Sequence, residues 1–120
     1  MSIPVIYESE YRFCLILWEN EPILRKDMAK LCEEKLGWAK TTTYTVIKRL
    51  EQRGFLKKDG SAISSLYTKE DIQSARVDEL VETTFEGSLP SFVAAFTKKR
   101  KLSKKEIDHL KKLIEDSEDT

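Results

Sequence analysis

Three short helical runs, each closed by its own breaker, constrain this chain more than any other feature. Phe13, Cys14, Leu17 and Trp18 form one apolar stripe on a helix capped at Ser9 and ending near Glu19. Glu21-Pro22 stops it, because proline biases the residue before it away from helix. After an extended Ile23-Leu24, the positions Met28, Leu31, Cys32 and Leu36 mark a second helix from Arg25 to Leu36, closed by Gly37. Trp38-Ala39-Lys40 then forms a turn. A third helix, capped at Thr41 or a neighbour, runs to about Arg53 with Val46, Ile47 and Leu50 inward and Thr43 at the edge of that face. Gly54 ends it. Phe55–Lys58 and Ser64–Tyr67 read as two strands, joined through Asp59-Gly60 by a loop longer than a two-residue hairpin. Helix, short strand, helix, turn, helix and hairpin within about 60 residues is the order of a winged helix-turn-helix.

The remainder is helical. Thr68 and Asp71 open a fourth helix to Phe85, and Glu86-Gly87-Ser88 breaks it. A fifth helix runs from Leu89 to Lys99 with Pro90 in its first turn, where proline is tolerated. Ser103 and Glu106 form a capping box for a sixth helix to Asp116, followed by an acidic tail that should fray. Ile72, Leu80, Val81, Phe85, Phe92, Val93, Phe96, Leu110 and Leu113 line the apolar faces of these three helices. So short a helical set buries little alone. A second copy of the chain is the simplest cover, since two-fold homodimers dominate soluble oligomers. The fold class is therefore mainly α with a small β-wing: residues 1–68 a winged-helix DNA-binding domain, residues 69–120 a three-helix dimerisation arm.

Composition excludes several classes. With 40% hydrophobic and 35% charged residues the chain is globular. Its longest apolar run, Phe13–Trp18, is six residues, far short of the roughly 20 a membrane helix needs. Met1-Ser2-Ile3-Pro4 lacks the basic-then-apolar pattern of a secretory leader, so a cytoplasmic protein is expected. Cys14 and Cys32 sit within apolar helical patterns and read as core atoms. One histidine, His109, and two distant cysteines cannot build a metal site. No nucleophile–histidine pattern or glycine-rich phosphate loop is present, so no cofactor and no enzymatic activity are expected.

Net charge is zero, yet it is unevenly spread. Residues 35–58 hold seven basic side chains against one acid, Glu51, while residues 8–34 hold four basic and seven acidic ones. A basic strip on a neutral protein suits a groove-binding element. A helix in the major groove offers its N-terminal half to base edges while flanking cations reach phosphates. Thr41, Thr42 and Thr45 suit base edges, Tyr44 adds a flat ring with a donor, Lys40, Lys48 and Arg49 suit backbone or guanine, and Lys57 and Lys58 belong to the wing. Each has a structural alternative: Thr41 as a cap, Arg49 paired with an acid of the first helix, Tyr44 packed sideways. The same fold also serves as a protein-interaction module without DNA binding, although that use favours an acidic or apolar third-helix face.

Trp38, Thr42, Thr45, Arg49, Leu50 and Gly54, with Glu10 and Trp18-Glu19 upstream, resemble the motif of the penicillinase-repressor (BlaI/MecI) family. Gly87-Ser-Leu-Pro-Ser-Phe-Val-Ala-Ala-Phe96 and Leu102–Leu110 are similar to its dimerisation arm. The resemblance implies a homodimeric repressor on an inverted-repeat operator built around TACA/TGTA half-sites. It also implies a further partner, a membrane sensor-protease that in several members leads to cleavage of the arm. The pair aligned with the Asn-Phe cleavage site is here Ala95-Phe96. Ser61 replaces the usual wing arginine, and Tyr44 stands where lysine is common. The paired C-terminal cysteines of the copper-responsive branch are absent from the sequence.

Overall fold

Glu8 to Asn20 form α1 because Phe13, Cys14, Ile16 and Leu17 all find apolar neighbours on one side. The computed structural model describes residues 3–118. Met1, Ser2 and the last two residues of the acidic tail, on which the leader and fraying expectations partly rest, lie outside the described residues. The remaining elements are β1 (Ile23–Leu24), α2 (Arg25–Leu36), α3 (Lys40–Gln52), β2 (Leu56–Asp59), β3 (Ala62–Ser65), α4 (Lys69–Phe85), α5 (Leu89–Lys99) and α6 (Lys104–Asp116). This is the expected mainly helical class with a small sheet. The chain divides into two units, one up to Glu79 and one from Leu80 onward, and the division falls within α4.

In the first unit, Phe13, Leu17, Met28, Cys32, Ile47, Leu50 and Ile63 meet in a single core. Trp38 lies flat on Phe13, ring centroids 6.4 Å apart. Gly37 takes the left-handed conformation at φ 69° and closes α2, as read from sequence. The sheet has strand order β1-β3-β2, both pairings antiparallel. Ile23 opposes Ile63, and Asp59 opposes Ala62, so Gly60-Ser61 is a two-residue turn with Gly60 at φ 63°. Both strands thus differ from the sequence reading, β3 by two residues, and the loop is shorter than expected. The register is decided by Ile63, which β1 and the core together pull inward, a long-range effect that local pattern does not carry.

Two caps also differ. Tyr7, not Ser9, is the N-cap of α1, and its N–H donates to the Glu10 carboxylate at 2.9 Å. Ala39 precedes α3, and Thr41 lies inside the helix without capping it. The Thr68–Asp71 pair is seen at the start of α4, with the Asp71 N–H donating to Thr68 Oγ1 at 3.0 Å. Ile72, expected on the dimerisation face, is instead 1% exposed and belongs to the first unit's core.

In the second unit, Val81 is 6% exposed, and the rings of Phe85, Phe92 and Phe96 contact one another at 5.7 and 5.8 Å. Ser88 caps α5 by accepting from the Ser91 N–H, and Ser103 with Glu106 forms the expected box on α6. The Ser103 N–H and hydroxyl hold the Glu106 carboxyl below its ordinary range. Neither α5 nor α6 has a buried residue; Leu113 and Ile114 are 55% and 64% exposed.

Candidate nucleic-acid interface

The inner face of α3 is set by Thr43, Val46, Ile47 and Leu50, all buried. Helical periodicity then obliges the intervening positions to face outward. Lys40, Thr41, Thr42, Tyr44, Thr45, Lys48 and Arg49 are all exposed, so the structure brings the α3 members of the expected set onto one surface. Thr43 differs in degree, being wholly buried rather than at the edge.

The Thr45 hydroxyl donates to the Thr41 carbonyl at 2.9 Å. Its proton is thereby committed, which leaves the oxygen available as an acceptor toward a base amino group. Two shallow grooves flank this helix. One is lined by Ser9, Trp38, Thr41, Thr42, Thr45 and Arg49. The other is lined by Leu24, Arg25, Lys26, Tyr44 and Ser61. Arg25 and Lys26 were not among the expected residues. Their position in the first turn of α2 becomes relevant only through the wing turn, where the Ser61 carbonyl accepts from the Arg25 N–H at 3.0 Å.

The wing lysines separate. Lys57 is exposed and makes no ion pair among the described residues, whereas Lys58 lies 3.6 Å from Glu51 of α3. Arg49 is likewise not a free cation. Its Nε donates to Glu10 at 3.0 Å, and the remaining side chain is 44% exposed. The alternative of pairing with an acid of the first helix therefore holds for Nε.

Glu10 is the residue that the sequence reading left without a role in the fold. It is 0% exposed. Burial alone would raise its pKa, but the Arg53 guanidinium at 2.6 and 2.7 Å, the Tyr7 N–H and Arg49 outweigh that and hold the carboxyl below its ordinary range. Arg53 also donates to the Val5 carbonyl and lies 5.0 and 5.2 Å from the Tyr7 and Phe55 ring centroids. A signal for this was present: Glu10 shares the helical stripe of Phe13, Cys14 and Leu17, and an acid on an apolar stripe requires a partner.

Burial raises the Cys14 thiol to about 12, assisted by the nearby charges of Glu10 and Glu21, and raises Cys32 despite the Thr43 hydroxyl. Neither is a reactive thiolate at neutral pH. Among the described residues no group of three metal-binding side chains occurs, and no helix is long and apolar enough to cross a membrane. In the second unit, Leu80, Val93, Leu113 and half-buried Leu110 present apolar surface, whereas Phe85, Phe92 and Phe96 already pack on one another. Ala95 and Phe96 lie within the regular helix α5.

Comparison with known proteins gives a consistent pattern. The family model described as "Penicillinase repressor" matches residues 6–116. The methicillin resistance regulatory protein MecI of Staphylococcus aureus strain Mu50 is 26% identical over 113 residues, covering 91% of this chain and 92% of that protein. The penicillinase repressor of Bacillus licheniformis is 24% identical over 119 residues, covering 96% and 93%. Among solved structures, the DNA-binding domain of the repressor BlaI matches 59% of this chain and 93% of its own length, with TM-score 0.50 and 24% identity. That likeness shows the winged-helix fold.

Proposed function

The chain belongs to the penicillinase repressor family, and from that premise we propose that it is a sequence-specific DNA-binding repressor that holds an inverted-repeat operator as a homodimer. The observation that carries the reading is the outer face of α3, where hydroxyl-bearing and cationic side chains stand exposed together from Lys40 to Arg49. An acidic or apolar face would have favoured a protein partner; this one matches base edges and phosphates. Relatives named as repressors, and a neighbour named as a DNA-binding domain, support the same reading. Dimerisation is assigned to Leu80, Val93, Leu110 and Leu113, whose apolar surface is left uncovered within one chain, and not to Ile72 or Val81, which are buried. With Ala95-Phe96 in place of Asn-Phe and enclosed in α5, cutting by a membrane sensor-protease is not part of this proposal.

The test is a gel-shift series on DNA from the chain's own upstream region, with salt titration. The double variant Thr45→Ala, Lys48→Ala changes two exposed positions, so it should fold normally and bind more weakly. Loss of one phosphate contact per copy should lower the salt slope by about 1 for each copy. Wild-type affinity in this variant would remove α3 from the groove.

A further inference from the structure

We propose that Glu10, buried beneath the DNA-facing surface, is a positioning residue for operator recognition: it holds Arg49 by Nε so that the terminal NH2 groups are presented, already ordered, to the DNA. The inference rests on the DNA-binding reading above and deepens it. Three observations carry it. First, Arg49 has one partner among the described residues, through Nε at 3.0 Å, and its terminal groups donate to no protein acceptor there. Second, Arg49 lines the same groove as Thr41, Thr42 and Thr45, so whatever approaches that hydroxyl row meets its guanidinium. Third, the acceptor is itself immobile. Glu10 is wholly buried, receives the Tyr7 N–H at 2.9 Å, and is gripped by Arg53 through both oxygens.

The two arginines on Glu10 thus differ in role. Arg53 is committed on several sides, to Glu10, to the Val5 carbonyl and between two aromatic rings, and has little left to offer a ligand. Arg49 is committed at one nitrogen and open at two. A guanidinium so held keeps the planar fork that suits phosphate or guanine while losing less freedom on binding.

Charge and position make opposite predictions, which gives the test its force. Glu10→Gln removes a negative charge from beneath a DNA-binding surface. Electrostatics alone therefore predicts tighter binding. Loss of positioning predicts weaker binding, by about threefold to tenfold per half-site, the change expected when one long side chain must be ordered on binding. The full-length chain should be titrated onto duplex DNA from its own upstream region as wild type, Glu10→Gln, Arg49→Ala and the double variant, below the melting temperature of each. The expected result is weaker binding by Glu10→Gln, and a double variant no weaker than Arg49→Ala. Tighter or unchanged binding by Glu10→Gln, or losses that add in the double variant, would overturn the assignment.

A measurement on the wild-type protein stands apart from the folding of any variant. The Arg49 Nε–H should give a discrete, slowly exchanging NMR signal before DNA is added, and an averaged one would overturn the proposal. A wild-type chain that binds no such DNA would count against the DNA reading and not against the clamp, which this signal tests separately.

Discussion

Arg53→Met removes a guanidinium that donates to both oxygens of a wholly buried carboxylate and leaves an unbranched apolar stem in its place. Glu10 then keeps only Arg49 and the Tyr7 N–H. Removing one partner of a buried ion pair costs about 3–5 kcal/mol. The surviving Arg49 contact argues for the lower end, about 3 kcal/mol at neutral pH, since the charge is weakened in its support and not orphaned. In a domain of 60–100 residues each kcal/mol moves the melting point by about 4–8 °C, so a fall on the order of 15 °C is expected.

The pH dependence is the sharper part. In the wild type the Glu10 pKa is lowered by folding, so its contribution is present above the unfolded value of 4.5 and is lost as pH falls through the lower folded value. In the variant the hydrogen bonds and charge of Arg53 are gone while burial remains, so the folded pKa is higher than in the wild type. The variant therefore loses less stability than the wild type as pH falls. The difference between the two proteins should therefore be largest near pH 7 and shrink toward pH 4. Urea unfolding followed by the fluorescence of Trp18 and Trp38 would measure it at both values. A penalty that stays constant over that range would show that packing, not the buried charge, sets the cost, and the reasoning would fail.

Leu113→Asp places a charge on an α6 position that is 55% exposed in one chain, so it should leave helical content unchanged while giving monomers in sedimentation; an intact dimer would exclude α6 from the interface. Cys14 and Cys32, both buried with raised pKa values, should resist thiol reagents at pH 8 in the folded protein and react fully in urea. Because Arg53 and Lys58 have acid partners, while Arg49 is tied only through Nε, each copy should neutralise at most about five phosphates from the 35–58 strip, which limits the salt slope of a dimer to about −9. A slope near −13 would mean that all seven cations act freely.

What could be read from sequence and what could not divide along a physical line. The outward face of α3, the Gly37 stop and the Thr68 and Ser103 boxes all depend on residues within one or two helical turns, and each is found where local chemistry places it. The misses in the wing and at Ile72 involve partners distant in sequence. The wing register depends on Ile23 opposing Ile63, forty positions away. Ile72 looked like part of the arm's apolar repeat, but the first unit's core takes it. By residue type alone Ser9 and Thr41 read as caps. At α1 the Glu10 carboxylate already accepts the Tyr7 N–H, and at α3 the chain enters the helix from Ala39 with no side-chain cap.

The same distinction applies to the charge of the 35–58 strip. A strip of seven cations would resist folding by self-repulsion if all faced one another unpaired. Glu10 and Glu51 neutralise part of it from within, and they do so on the core-facing and wing-facing flanks of α3. Lys40 and Lys48 on the outer face make no ion pair among the described residues. The pairing therefore sorts one basic run into anchors and contacts. Arg53 is an anchor, Lys40 and Lys48 are left free for the contacts proposed above, and Arg49 stands between them, tied inward by one nitrogen and open outward by two. Counting charges in the sequence treats these residues alike. Their chemistry differs because burial decides which of them still has a hydrogen bond to give.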